Sequence, residues 1–187
     1  MAEYYLISQL PSLDAIGEST PMPITEKQFL ELCHNFLNKK ALNEIENITL
    51  TPSMIREKSS SDLIEAWNEM ERNLRLALGR ARAEKMNKPL DLFDSRKIEA
   101  SNELQKIVNA SIEEKNPLEA ERLLLQYRLS LLESLRPMDS FSREYVFYYA
   151  LKLKLLSRVR QFNTELGEAT YKNIYNSILN AERLEDK

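Results

Sequence analysis

The sequence predicts an all-α protein, an elongated multi-helix bundle with long helices and a short extended N-terminal arm. Its 187 residues contain only three glycines, and the seven prolines fall between periodic segments rather than inside them. Because proline lacks an amide proton and clashes with the preceding turn, it separates helices. After Glu26 no stretch keeps the period of two that a strand requires. We expect a single helical domain over residues 1–187, with the arm at 1–24 and the helical body at 25–187.

The first helix of the body carries its own start signal. Thr25 can accept a hydrogen bond from the amide of Gln28, and the Gln28 side chain can accept one in return, which makes a capping box. We therefore predict a helix over about residues 26–37 and a shorter one near 41–46.

A single long helix is predicted after Ser61. Apolar residues recur there at steps of three or four, so one narrow stripe faces a neighbouring element. Acidic residues near its start and lysines near its end match the helix dipole. At 1.5 Å per residue the helix is roughly 40 Å long, the length of a central strut. The stripe consists of Leu63, Trp67, Met70, Leu74, Ala77 and Ala81.

Three further helices follow, each marked by the same spacing. The last begins near Ser142, and its pattern resumes after Gly167, which is either a kink or a break. The apolar positions are Ile98, Leu104, Ile107, Val108 and Ile112 in the first, Leu118, Leu125, Leu129 and Leu132 in the second, and Tyr148, Leu151, Leu155, Val159, Phe162, Leu166, Tyr171, Ile174, Tyr175 and Ile178 in the last.

Composition limits the function classes. The formal net charge is −3, so a general nucleic-acid-binding protein is not expected. Cys33 is the single cysteine, which rules out an intramolecular disulfide, and we expect no signal peptide. The uncharged opening run is about half the length of a membrane-spanning helix. We expect a cytoplasmic protein without direct membrane insertion.

The sequence offers little for catalysis. Cys33 and His34 are neighbours on a predicted helix and do not face each other, so they do not form a nucleophile and base. Glu31 and His34 have the spacing of di-iron bundles, but those sites need the motif twice. Three scattered glycines cannot build a phosphate loop. We predict no catalytic, cofactor-binding or metal-binding residues, no cofactor and no small-molecule substrate; a metal–carboxylate enzyme stays the less favoured alternative.

Two features indicate contacts with other proteins. Six basic residues, at 72, 75, 80, 82, 85 and 88, fall within 17 residues that contain a single acid, Glu84. These basic residues either match the helix dipole and pair with glutamates, or they bind an acidic partner.

The second feature is a cluster of five aromatic residues, at 141, 145, 147, 148 and 149. They point in all directions around one helix, so they pack in the core or contact a partner. The partner-contact candidates are Arg72, Arg75, Arg80, Arg82, Lys85, Phe141, Tyr145 and Tyr149.

Three stretches resemble an uncharacterised bacterial family that is encoded in V/A-type ATPase operons, where it stands in for the central-stalk C (d) subunit. They are the opening YYLISQLP, the strut from Trp67 to Met86, and the segments NPLEAERLLLQYRLSLLESL and FSREYVFYYALKLKLLSRVRQFNTELG, which end at Gly167. The most distinctive features are the two tyrosines before Leu-Pro, Leu74-Arg75, Arg80-Ala81-Arg82 and the run from Lys152 to Arg158.

The resemblance implies a non-catalytic coupling or assembly subunit that transmits between shaft and membrane rotor. Its partners would be the shaft and rotor-ring subunits, and it would meet the inner membrane only through them. The chain is much shorter than the usual three-lobed C subunit, so it would supply part of that funnel. The arm would fold back on the long helices and bury Tyr4, Leu6 and Leu10, with Pro11 turning the chain away. The alternative is a self-associating helical scaffold or regulator unrelated to the ATPase.

Overall fold

A computed structural model describes residues 2–14, 16, 20–53, 55, 58–89, 101–161 and 174–175. Every regular element within these ranges is an α-helix, which confirms the all-α prediction; the elongated outline and the single domain stay predictions. The predicted helical positions Ile98, Phe162, Leu166, Tyr171 and Ile178, and the predicted kink at Gly167, lie outside the described residues. The helices are α1 (Ala2–Gln9), α2 (Glu26–Phe36), α3 (Lys39–Glu46), α4 (Asp62–Lys85), α5 (Asn102–Glu113), α6 (Pro117–Ser134) and α7 (Arg143–Gln161).

The N-terminal segment corrects one prediction, because residues 2–9 form helix α1 rather than an extended arm. The segment does fold back, since α1 packs against α2 and α7 and its Leu6 is fully buried. Leu10 is half-buried, but Tyr4 is 53% exposed, so its predicted burial is wrong. In so short a segment without a capping residue, the apolar positions are too few to distinguish the period of 2 of a strand from the period of 3.6 of a helix.

The capping box that the sequence predicts is present at the start of α2. The Thr25 amide donates to the Gln28 side chain at 2.9 Å, and the Gln28 amide donates to the Thr25 hydroxyl at 3.2 Å. Asn38 caps α3 in the same manner by accepting from the Ala41 amide at 2.9 Å. Each cap satisfies amides that have no partner within the helix, and this fixes where the chain enters it.

The predicted strut is α4, whose 24 residues span about 36 Å. The Ser61 side chain caps its first turn by accepting from the Ile64 amide, and it also donates to Glu144 of α7 at 2.6 Å. At the other end Asn87 has a φ of 51°, and its amide and that of Lys88 donate to carbonyls of the last turn. This is the Schellman arrangement, which stops the helix.

The helices share two hydrophobic cores. The larger one is built around α7, whose residues 146–151 are all buried, and it takes Leu63 and Trp67 from the first half of α4. The smaller one joins the second half of α4 to α5 and α6 through residues such as Leu74 and Val108. Both cores include residues of α4 and α6. The groove between these two helices and α7 lies where the two cores meet, and charged residues line it.

Candidate functional site

The adjacent Cys33 and His34 point to different environments, as their spacing on a helix predicts. Cys33 is fully buried, and burial raises the pKa of its thiol to about 12, so the nucleophilic thiolate is disfavoured. His34 is exposed, and its Nε2 lies 3.3 Å from a carboxylate oxygen of Glu46. Within the described residues no three His, Cys, Asp or Glu side chains are grouped so that they could hold a metal ion.

Arg72 and Arg75 attach the loop before α4 to that helix. The Nε of Arg72 donates to the Ser53 carbonyl at 2.9 Å. A terminal nitrogen of Arg75 donates to the Pro52 carbonyl at 3.1 Å. Arg72 also pairs with Glu69 and is only 9% exposed, so its guanidinium is not presented to solvent as a partner contact requires. Arg75 is exposed, and no carboxylate among the described residues pairs with it.

The remaining basic candidates lie toward the end of α4. Arg80 pairs with Glu84 at 3.2 Å on the surface, and an exposed pair of this kind contributes little to stability. The Lys85 ammonium donates to the Ile112 carbonyl in the last turn of α5 at 2.6 Å, which favours that helix end. Arg82 is exposed, and its side chain has neither a hydrogen bond nor an ion pair with any described residue.

A cavity of about 240 Å³ lies between α4, α6, α7 and residues 50–51. Its wall combines apolar side chains, including Leu78, Leu124 and Leu155, with an unusual number of guanidinium groups. We call it the arginine cavity. Its charged residues are Arg75, Arg82, Arg128, Arg158, Glu71 and Glu121.

The two glutamates of the cavity neutralise two of its arginines. Arg128 Nε and one of its terminal nitrogens donate to the two oxygens of Glu71, both at 2.9 Å. Burial alone would lower the pKa of Arg128, but its hydrogen bonds to the Glu71 carboxylate and the negative charge of that group raise the pKa above the ordinary value. Arg158 donates to Glu121 at 2.9 Å. Even so, the second terminal nitrogen of Arg128 and the Nε of Arg158 are buried without a hydrogen-bond acceptor.

Sequence reasoning found Arg75 and Arg82 but missed the Glu71–Arg128 pair, although a signal for it exists. Glu71 lies between Trp67 and Leu74 on the apolar stripe of α4. A charged residue in the middle of such a stripe faces the core, where it needs a partner of opposite charge.

Most of the aromatic candidates belong to the core. Phe147, Tyr148 and Tyr149 are at most 3% exposed. Tyr149 stacks on Phe29 with ring centroids 5.4 Å apart, and its hydroxyl donates to the Pro11 carbonyl at 2.9 Å. Burial raises the pKa of the Tyr149 hydroxyl. Tyr149 therefore fastens the N-terminal segment to α7, and it is not exposed for the partner contact that the sequence suggested.

Phe141 differs because it is 48% exposed. Its ring stacks on Tyr4 at 4.7 Å, and Tyr4 meets Tyr5 edge to face at 5.8 Å. Tyr4 and Tyr5 are themselves 53% and 57% exposed. We call these three residues the aromatic corner. Tyr145, the remaining candidate, is half-buried beside Tyr148.

The family comparison matches residues 54–181, which is more than half of the chain. The chain belongs to the family described as protein of unknown function, DUF2764. A search of curated proteins found no match, and a search of solved structures found none. The matched range begins at a sequence position between α3 and α4.

In this DUF2764 protein three of the candidate residues thus belong to one of two surfaces. Arg75 and Arg82 line the arginine cavity, inside the family match, whereas Phe141 stacks on Tyr4, which precedes the matched range. Neither surface holds a nucleophile paired with a base. Of the helices described, none combines the length and apolarity that a membrane crossing requires.

Proposed function

We propose that this protein is a non-catalytic coupling or assembly subunit of a V/A-type ATPase, similar to the C subunit, and that it joins the shaft to the membrane rotor. The likeness of the opening segment, the strut and the last two helices to the family encoded in ATPase operons supports the proposal. So does the aromatic corner, which is the observation that carries the interaction role. In this role the protein is cytoplasmic and reaches the inner membrane only through its partners.

The aromatic corner has the properties of a protein contact. Tyr4, Tyr5 and Phe141 place three half-exposed rings side by side. Aromatic residues are enriched in the centres of protein interfaces, where they bury a large area. Because each ring already touches another, less side-chain freedom is lost when a partner binds.

The exposed end of α4 supplies a second, electrostatic element. Arg82 has no carboxylate partner among the described residues, and Arg80 is engaged only in a surface pair. Unpaired surface charge speeds the encounter with a partner of opposite charge and makes the association rate sensitive to salt. An acidic surface on the shaft or ring subunit is therefore the expected complement.

Co-purification with the ATPase subunits tests the proposal. The tagged protein should retain the shaft or rotor-ring subunit at low salt. A triple variant with serine at Tyr4, Tyr5 and Phe141 should lose that partner. The matched control places serine at Ile55, which is 73% exposed and belongs neither to the aromatic corner nor to the end of α4. The control should bind like the wild type.

The alternative role, a self-associating scaffold or regulator, predicts a different result. A stable homo-oligomer that the triple variant converts to a monomer, with no ATPase subunit retained, would replace the coupling proposal. Light scattering coupled to size-exclusion chromatography measures the mass. Equal loss of the partner in the triple variant and in the Ile55 control would show that the aromatic corner is not the contact.

A further inference from the structure

We propose that the arginine cavity binds a small phosphate monoester, with the phosphate group held by Arg75 and Arg82. The sequence predicted no small-molecule partner because it has no glycine-rich phosphate loop. Here the donors would come from side chains of three helices instead of from a backbone loop. The inference goes beyond the coupling role, in which Arg82 attracts an acidic partner, because here the same side chain binds a small ligand.

Charge is the first argument. Glu71 and Glu121 each pair with an arginine across the cavity, namely Arg128 and Arg158. Arg75 and Arg82 have no carboxylate partner within the described residues, so the cavity wall carries two uncompensated positive charges. A phosphate monoester carries about −1.5 to −2 at pH 7, which matches them better than the single charge of a carboxylate.

The geometry of α4 is the second argument. Arg75 and Arg82 are separated by seven residues, or about two helical turns, and therefore lie on the same face. Gly79 lies between them on that face and also lines the cavity. Glycine inside a helix costs roughly as much as a weak hydrogen bond relative to alanine, so its presence here is unfavourable for the helix alone. The absence of a Cβ leaves room between the two guanidinium groups.

The unsatisfied donors are the third argument. One terminal nitrogen of Arg128 and the Nε of Arg158 are buried with no hydrogen-bond acceptor. Buried donors in proteins are nearly always paired, with protein, water or ligand. The wall covers both atoms, so the acceptor oxygens of a bound phosphate would reach them after a small shift of the Arg128 and Arg158 side chains.

The size of the cavity favours an ester over free phosphate. Its volume of about 240 Å³ is well above the roughly 10–15 Å³ that a cavity needs to hold one water molecule, so a phosphate group alone does not fill it. Leu78, Leu124 and Leu155 supply apolar surface beside the arginines. The organic part of a monoester would lie against these leucines.

Calorimetric titration with phenyl phosphate, benzoate and inorganic phosphate tests the assignment. Phenyl phosphate should bind most tightly, because it alone combines two charges with an apolar ring. Arg82→Gln should weaken phenyl phosphate binding by about tenfold or more, since it removes a charge-assisted donor. Arg80→Gln is the matched control, because Arg80 lies two residues away and does not line the cavity; its effect should stay below about twofold.

The Gly79→Ala variant distinguishes a loss of phenyl phosphate binding at the cavity from a general loss of folding. Alanine favours the helix, so the melting temperature should rise, while the added methyl group should abolish phenyl phosphate binding. Three results would overturn the proposal: no saturable binding of phenyl phosphate, equal affinity for phenyl phosphate and either of the other two anions, or unchanged binding in Gly79→Ala. The ATPase pull-down does not enter this test, so either proposal can fail alone.

Discussion

Replacing Glu71 by glutamine gives a sharp test of how the groove between α4 and α6 is held together. Glu71 is 2% exposed, and both of its oxygens accept hydrogen bonds from Arg128, whose side chain is 12% exposed. Glutamine keeps the size of the side chain but removes the charge, so it leaves the guanidinium buried beside a neutral group. Removing one partner of a buried ion pair costs about 3–5 kcal/mol.

The expected loss for Glu71→Gln lies near the low end of that range. Glu121 is 3.7 Å from a terminal nitrogen of Arg128 and still compensates part of its charge. A loss of about 3 kcal/mol in a chain of this length corresponds to a melting temperature roughly 6–12 °C lower. The surface pair of Arg80 and Glu84 supplies the control, since Glu84→Gln should cost less than about 1 kcal/mol.

Urea denaturation followed by circular dichroism measures both variants, with the free energy of unfolding taken by linear extrapolation. A double variant with methionine at Glu71 and Arg128 adds a second check. It should recover most of the stability, because a buried pair replaced by apolar residues of similar volume is often neutral or stabilising. If Glu71→Gln costs no more than Glu84→Gln, or if the double variant is the least stable of all, the groove does not depend on this ion pair.

Three further predictions concern the N-terminal segment and α2. Leu6→Ala should lower the free energy of unfolding by about 2–5 kcal/mol, whereas Tyr5→Ala should leave it nearly unchanged, as thermal melting can show. A thiol reagent should modify Cys33 only in denaturant; rapid modification in native buffer would contradict its burial. The hydrogen bond from Lys152 holds the pKa of Asp14 below its ordinary value of 3.8. The stabilising effect of ionised Asp14 is therefore complete above that value and is lost as the pH falls below it, so Asp14→Asn should flatten the decline in melting temperature at pH values below about 4.

The helices after Glu26 could be predicted from the sequence because the patterns that indicate them are local. The capping box at Thr25 and Gln28 involves residues three apart, and the stripe of α4 repeats every three or four residues. α1 was not readable, because it lacks a capping residue and Leu6 is buried against helices that come later in the chain. Its helical form is therefore decided by tertiary contacts more than by local preference.

The candidate surfaces could likewise be predicted only where the pattern is local in the sequence. Charge density in one segment identified Arg75 and Arg82, yet the residues that complete the cavity lie on α6 and α7 and meet α4 only through packing. Aromatic clustering identified Phe141, but its stacking partner Tyr4 is at the opposite end of the described chain. The sequence could also not separate Tyr149, which is buried, from Phe141, which is exposed, because both belong to the same cluster.

The position of α7 at the centre of the larger core has a consequence for biosynthesis. Leu6, Phe29 and Trp67 all pack in a core that α7 completes, and Glu144 of α7 secures the start of α4. At roughly 5–20 residues per second, the ribosome finishes α7 several seconds after it has made α2. Throughout that interval the emerging helices present apolar side chains to chaperones. Translation that stops before Arg143 therefore leaves the apolar side chains of the larger core without the helix that covers them, whereas the smaller core has all of its residues.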